Sequence, residues 1–282
     1  MNSFLLKGAL LFALWYDMPH RPTKDIDLLG FGQSDLLTMK RIFQEIASIP
    51  CEDGISFSPD SINVDEIRKN TGYMGARVIL SGELAKARCK IQIDIGFGDA
   101  VTPEPIEATY PVLIHDLPAP CLRAYPVYTV IAEKLHAITM LGMANSRLKD
   151  YLDLTVMFDR EEIDANILAR AIFATFRRRD TEIPLNLPIG LTDEFGNDVS
   201  RQSIWNVFLK KNELEPISLQ NIVVGLRSQV EPILNQAALL SLDERFIPNQ
   251  KTVNAMKEAR HGQLKSFKTV ELLMDDLNKD NI

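Results

Sequence analysis

Two aspartates one residue apart, Asp25 and Asp27, have the types and spacing best suited to chemistry in this chain. They lie in an apolar run with Ile26 and Leu28. Because side chains at i and i+2 of a β-strand project to the same side, both carboxylates should point together while the apolar residues face the core. Two like charges on a half-buried strand repel each other and lose hydration, so the pattern predicts a bound divalent cation. Oxygen ligands of this kind suit Mg²⁺ or Mn²⁺.

A third carboxylate, Asp94, lies in a second strand-like segment. One face of residues 89–97 consists of Cys89, Ile91, Ile93, Ile95 and Phe97, and the other of Lys90, Gln92 and Asp94. This alternation predicts a strand with one buried face. We therefore predict that Asp94 joins Asp25 and Asp27 as a metal ligand from a neighbouring strand.

The size and composition of the chain are those of a globular protein. With 282 residues, 46% of them apolar, it can bury a sizeable core in one large domain or two smaller ones. Its formal charge of −7 argues against a protein whose whole surface binds nucleic acid, although a local basic groove is compatible with that charge. The three cysteines lie far apart in sequence, which favours core or surface thiols in a reducing compartment over a zinc site.

The sequence contains no convincing targeting or membrane segment. The apolar run at residues 10–15 is short and has no small-residue cleavage site after it. No apolar run approaches the ~20 residues that a membrane helix needs. We therefore expect a cytoplasmic protein with no membrane partner.

The predicted elements place the acids on a sheet and follow the sheet with helices. We expect strands at 4–6, 26–29, 76–81 and 88–97, helices at 9–16 and 35–48, and a turn at Gly8. Amphipathic helices follow from about residue 129 to residue 240. This is an α+β plan. We divide it into residues 1–128, a helical domain at 129–242 that completes the site, and a partly disordered appendage at 243–282.

Acids on neighbouring strands, a glycine turn leading into a helix and a nearby cation are the parts that nucleotidyl transfer requires. Metal ions held by the carboxylates activate the attacking hydroxyl, and the helix N-terminus and a lysine hold the triphosphate. An Asp-x-Asp pair by itself fits a solvated turn or a structural calcium site equally well. Its position after a strand, a turn and a helix, together with Asp94, favours nucleotidyl transfer.

Four motifs resemble, in the same order, those of the AbiEii/AbiGii (MenT-like) nucleotidyltransferase toxins. The matching segments are Phe4-Leu-Leu-Lys-Gly-Ala, Pro22-Thr-Lys-Asp-Ile-Asp-Leu-Leu, Ile93-Asp-Ile-Gly-Phe-Gly-Asp, and Ala132-Glu-Lys-Leu-His-Ala with Arg147-Leu-Lys-Asp-Tyr-Leu-Asp-Leu. The resemblance covers roughly residues 3 to 240. It implies a polymerase-β-like nucleotidyltransferase core, a mixed sheet with flanking helices, followed by a helical C-terminal half.

The resemblance also implies an activity and its participants. These are a divalent metal, a nucleoside triphosphate donor, an RNA acceptor that is tRNA in characterised relatives, and a cognate antitoxin. The same site on a protein-modifying nucleotidyltransferase, or on an inactive relative that serves as a binding module, remains an alternative. The inactive reading is motivated by Ala9, where relatives commonly have Gly, Ser or Thr, and by the absence of the helical segment that usually precedes the first strand.

The resemblance assigns roles to particular residues. Asp25 and Asp27 are implied to bind metal, and Asp94 occupies the position of a third ligand. The phosphate-binding turn corresponds to Gly8 and Ala9. The triphosphate-contacting lysine corresponds to Lys134, and the helical acid of the last motif corresponds to Asp153 with Asp150 as its competitor.

Simpler interpretations of several charged residues remain open. Lys134 could be a solvated helical lysine, and Asp150 and Asp153 could form only local ion pairs with Arg147 and Lys149. The basic residues Arg177, Arg178, Arg179, Lys210 and Lys211 could guide a phosphate backbone, or those at 177–179 could simply favour a helix C-terminus. Residues 247–278 weakly resemble the C-terminal half of RelB/DinJ-type antitoxins.

Overall fold

A mixed β-sheet carries the predicted acids in the computed structural model, which describes residues 3–16, 20–32, 34–68, 74–114 and 116–246. Its eight strands within these ranges are β1 (Phe4–Lys7), β2 (Asp25–Gly30), β3 (Ile55–Phe57), β4 (Asn63–Arg68), β5 (Met74–Leu84), β6 (Ala87–Phe97), β7 (Ile106–Thr109) and β8 (Cys121–Ala124). Their order is β3-β5-β6-β2-β1-β8-β7, and β4 pairs with β5 as well. The pairs β2/β6 and β1/β8 are parallel, and the other pairs are antiparallel.

Helices flank the sheet and form most of the second half of the described chain. They are α1 (Leu11–Trp15), α2 (Leu36–Ala47), α3 (Val127–Leu141), α4 (Lys149–Arg160), α5 (Ala165–Arg178), α6 (Asp193–Asn197), α7 (Val199–Lys211) and α8 (Leu219–Phe246). Short 3₁₀ turns occupy Gly8–Leu10, Pro59–Ser61, Gly142–Ala144 and Ile189–Leu191. The predicted α+β class, a mixed sheet followed by a helical half, is confirmed.

Aspartate side chains fix where three of these helices begin. Asp35 accepts a hydrogen bond from the Thr38 backbone N–H at the start of α2. Asp164 and Asp198 cap α5 and α7 in the same way. Each carboxylate satisfies amides that have no partner within the helix and also complements the positive end of the helix dipole.

The two faces of the sheet pack against different partners. On one face, the strand residues Val78, Ile93 and Ile95 form a core with Met39 and Phe43 of α2. A second, larger core joins apolar residues of β1 and β2 to the helical half of the chain. The apolar alternation predicted for residues 89–97 is therefore confirmed, since its isoleucines face α2.

Several elements differ from the predictions. The helix expected at 9–16 begins with the 3₁₀ turn Gly8–Leu10 and becomes α-helical only at Leu11. The four short strands β3, β4, β7 and β8 were not predicted. The three cysteines are free and exposed, so they are surface thiols and not core thiols.

The chain forms two units, residues 1–240 and residues 241–282. The division at residues 128 and 242 stays a prediction. The antitoxin-like segment at 247–278 lies outside the described residues. Within the part of the chain that is described, no helix is both long enough and apolar enough to cross a membrane.

Candidate active site

A row of charged residues crosses the sheet at a single register. Lys7 of β1 lies opposite Asp27 of β2, Asp27 opposite Asp94 of β6, and Asp94 opposite Arg77 of β5. Residues directly opposite each other on paired strands project to the same face. Asp25 lies two residues before Asp27 on this face and is exposed, whereas Asp27 is half-buried. The strands therefore place the predicted acids side by side on the face that α2 leaves uncovered.

The turn after β1 packs directly against Asp27. Gly8 has a φ of +74°, and a Cβ atom at this position would overlap the Asp27 carboxylate. Only glycine satisfies both the left-handed backbone and this close approach. Ala9, the second residue of the predicted phosphate-binding turn, packs against the main core.

Asp94 is held by an arginine. Arg77 Nε lies 2.8 Å from Asp94 Oδ1, and Arg77 Nη2 lies 2.8 Å from Asp94 Oδ2. This bidentate pair occupies both carboxylate oxygens because Arg77 stands opposite Asp94 on β5. Among the described residues, no three His, Cys, Asp or Glu side chains are arranged to hold a metal ion. The role of Asp94 as a third ligand therefore stays a prediction, and the contact seen is an ion pair.

A second charged cluster joins helices α3 and α4. Lys134 Nζ of α3 lies 2.7 Å from Asp150 Oδ1 and 2.7 Å from Asp153 Oδ2, and both aspartates are fully buried. The Lys134 side chain is 13% exposed, so it is not the solvated lysine of the simpler interpretation. Arg147 Nε lies 3.0 Å from Asp150 Oδ2, and its side chain is 53% exposed. The structure therefore brings Lys134, Asp150 and Asp153 together as an ion cluster.

His20 and Arg21, in the segment that precedes β2, also contact Asp153. Arg21 binds it through Nε at 2.7 Å and Nη2 at 2.8 Å, and His20 Nε2 lies 2.7 Å from Oδ1. Burial would raise the pKa of Asp153, but the charge of Lys134 and the hydrogen bonds from Arg21 and His20 outweigh it and lower that pKa. Because a carboxylate oxygen can only accept, the His20 Nε2 atom carries the hydrogen.

Arg21 connects the two charged clusters electrostatically. Burial alone would lower its pKa, yet the hydrogen bond to Asp153 and the negative charges of Asp153, Asp150 and Asp27 raise that pKa. The field of Asp27 on β2 thus reaches the guanidinium that binds Asp153 on α4. Arg21 therefore links the Lys134 cluster to the segment that leads into β2.

A third, charge-balanced network extends from Lys7, the residue opposite Asp27. Lys7 Nζ lies 2.6 Å from Asp99 Oδ2 and 3.1 Å from Glu133 Oε1. Arg179 Nη2 contacts the same two acids at 3.1 and 3.3 Å. Burial would raise the pKa of Asp99, but Lys7 and Arg179 outweigh burial and lower that pKa. The network connects β1, α3 and the end of α5, and it accounts for Arg179 without a nucleic-acid role.

The sequence offered only weak signals for these added residues. Arg21 lies four positions before Asp25, Glu133 precedes Lys134, and Asp99 ends the third motif. Their roles depend on partners 80 to 132 residues away, such as the Asp153 that Arg21 binds. Proximity to a motif was the available signal, and it does not identify the partner.

Two solved structures from Helicobacter pylori resemble this chain at low sequence identity. Helicobacter pylori JHP933 resembles the chain in structure with a TM-score of 0.46 and 17% sequence identity, covering 91% of this chain and 90% of JHP933. A second H. pylori protein, named as a candidate nucleotidyltransferase, has a TM-score of 0.46 and 18% identity, covering 85% and 89% of the two chains. No curated protein matches the chain by sequence.

A protein-family model identifies the family to which this chain belongs. The model of the nucleotidyl transferase AbiEii toxin, from type IV toxin–antitoxin systems, matches residues 1–224. This range contains both charged clusters and the glycine turn, and it covers more than half of the chain. The family predicted from the four motifs is confirmed. The chain is a nucleotidyltransferase and belongs to the AbiEii toxin family.

Proposed function

We propose that this nucleotidyltransferase transfers a nucleotide from a nucleoside triphosphate to an RNA acceptor, with tRNA as the acceptor, and acts in the cytoplasm as the toxin of a toxin–antitoxin pair. The observation that carries the proposal is the packing of the Gly8 turn against Asp27, with exposed Asp25 beside it. A glycine turn next to two carboxylates can bring a triphosphate and its metal to the same point.

Asp25 and Asp27 would hold Mg²⁺ or Mn²⁺. Their donor atoms are carboxylate oxygens, which these hard cations prefer. Mg²⁺ is commonly bound by one or two carboxylates together with substrate phosphates, and an exposed Asp25 beside a half-buried Asp27 fits that pattern. When bound, the metal supplies Lewis-acid stabilisation of charge on the transferring phosphate.

The chain's own cations would orient the triphosphate. Asp150 and Asp153 hold the Lys134 ammonium in one place, and an ammonium has a third N–H to offer. Arg147 is half-exposed at the edge of the same cluster, and guanidinium groups suit phosphate oxygens. Asp150 and Asp153 act in this scheme by positioning the two cations, since both are fully buried.

Labelled triphosphates test the proposal directly. The purified full chain is incubated with Mg²⁺, each of the four α-labelled ribonucleoside triphosphates, and separate tRNA and protein fractions. We expect label in the tRNA fraction, loss of labelling with Asp27→Asn, and unchanged labelling with Asp65→Asn, an exposed acid of β4. Label in the protein fraction alone would replace tRNA by a protein acceptor. Label in neither fraction would contradict both enzymatic readings.

A toxin role has a separate test in cells. Expression of the chain should arrest growth, and Asp27→Ala or Lys134→Ala should abolish the arrest. Thermal melts of both variants show whether the protein still folds. Continued growth with both the folded, unsubstituted chain and the chain of residues 1–246 would exclude the toxin role, and an antitoxin as its partner would then lose its basis.

A further inference from the structure

One buried carboxylate joins three separate parts of the candidate site. Asp153 on α4 accepts from Lys134 on α3 and from His20 and Arg21 on the segment that leads into β2. Arg21 lies four residues before Asp25 in the chain. The position of Asp153 is therefore tied both to the acidic strand and to the lysine.

The contact with Arg21 is geometrically the most restrictive of the three. Its guanidinium forms two parallel bonds with both oxygens of Asp153. A planar fork fixes both the position and the rotation of a carboxylate, whereas an ammonium or an imidazole contacts one oxygen. The Arg21 side chain is only 8% exposed, so it is not available to an incoming substrate.

Lys134 depends on that rotation. Its ammonium lies 2.7 Å from one oxygen of Asp153 and 2.7 Å from one oxygen of Asp150. If Asp153 turned, Lys134 could not keep both contacts. We propose that Arg21 is a positioning residue that fixes Asp153 and, through Asp153, holds Lys134 in its place between Asp150 and Asp153. For its nucleotide-binding test, this inference rests on the proposed function.

Crystal structures of the full chain and of Arg21→Lys test the positioning without any nucleotide. Lysine keeps the charge but loses the fork. The expected result is a Lys134 Nζ that has moved beyond hydrogen-bonding distance of Asp150 Oδ1, from 2.7 Å in the unsubstituted chain. Arg21→Gln serves as a second variant. Unchanged Lys134 contacts, or failure of both variants to fold, would overturn the inference in favour of a purely structural role.

A double-mutant cycle measures the consequence for binding. Calorimetry with Mg²⁺ and each ribonucleoside triphosphate is performed on the full chain, Arg21→Lys, Lys134→Met and the double variant. We expect Arg21→Lys to weaken affinity about tenfold when Lys134 is present and to have no further effect in Lys134→Met. Equal weakening in both backgrounds would overturn the inference.

A control variant and the crystal structures distinguish failure of the Arg21 inference from failure of the proposed function. Arg88→Lys, on an exposed side chain of β6, should leave affinity unchanged. If the unsubstituted chain binds no triphosphate, the proposed function fails, while the crystal structures still decide whether Arg21 positions Lys134.

Discussion

The Asp27 side chain packs where a Cβ atom of residue 8 would lie, so residue 8 has to be glycine. A Cβ atom at residue 8 would lie 2.7 Å from both Cβ and Cγ of Asp27, so Gly8→Ala must displace the carboxylate in addition to straining the backbone. We expect this variant to lose nucleotidyl transfer. Gly32 separates the two effects because its φ is +92° but a Cβ there would meet nothing within 4 Å.

The matched variants give a direct comparison. Each alanine should cost roughly 1–3 kcal/mol of unfolding free energy through backbone strain, measured by urea denaturation. Transfer activity should survive in Gly32→Ala and disappear in Gly8→Ala. Equal activity in the two variants would show that the close approach to Asp27 is not needed for catalysis.

Arg147 is the accessible cation of the Lys134 cluster. If it contacts the triphosphate, Arg147→Ala should raise KM for the triphosphate roughly 10- to 150-fold with little change in kcat, since a charged hydrogen bond contributes about 1.5–3 kcal/mol. Steady-state kinetics measure both constants. Arg170→Ala, at an exposed position of α5, is the matched control. A fall in kcat at unchanged KM would instead assign Arg147 a role in the transition state.

His136 makes stability depend on pH. Burial and the nearby charge of Arg179 lower its pKa to about 4. Arg179 Nη1 lies 3.2 Å from His136 Nδ1, and because an arginine can only donate, this nitrogen must be unprotonated. The unfolded chain takes up the proton near the ordinary pKa of 6.5, so this contribution is present above that pH and is lost as the pH falls to about 4.

The corresponding test compares His136→Gln with the unsubstituted chain by urea denaturation at pH 7 and at pH 5. The unsubstituted chain should lose more unfolding free energy between these values than the variant loses. Equal losses would assign the pH dependence to other groups.

At the level of elements, the Lys7 network joins the sheet to the helices. Lys7→Met would leave Arg179 as the cation that still contacts both Asp99 and Glu133, and breaking a buried ion pair costs about 3–5 kcal/mol. We expect a loss of this size in urea denaturation. Lys90→Met, at an exposed position of β6, should change stability by less than about 0.5 kcal/mol. A small loss in Lys7→Met would mean that water replaces the missing ammonium.

The β5–β6 hairpin shows what the sequence could and could not predict. Alternating isoleucines made β6 and the face of Asp94 predictable. The residue opposite Asp94 was not predictable, because it depends on a two-residue turn at Ala85 and Lys86, both with positive φ. These residues are not typical of such turns, and a shift of one residue would remove Arg77 from its partner.

The same limit applies to the contacts between helices and sheet. Gly8, the acids of β2, Lys134 and the acids of α4 could be singled out from local motifs, but the ion pairs that join Lys134 to Asp150 and Asp153 could not. Arg21 and Asp153 are 132 positions apart, and their pairing follows from how α4 packs, not from any local pattern. Short strands such as β7 lie in a proline-punctuated segment, where propensity alone favours a loop.

At the scale of the whole molecule, residues 1–240 form a unit that contains both hydrophobic cores and every candidate site residue. A chain that ends after Phe246 keeps all of α8. We therefore expect the unit of residues 1–240 to unfold at the same urea concentration in the 1–246 chain and in the full chain. We also expect the 1–246 chain to transfer nucleotide at least as fast as the full chain. Faster transfer by 1–246 would support an inhibitory, antitoxin-like role for residues 247–282. Loss of transfer with unchanged unfolding would show instead that these residues take part in catalysis, and the site would have to be extended beyond the motifs.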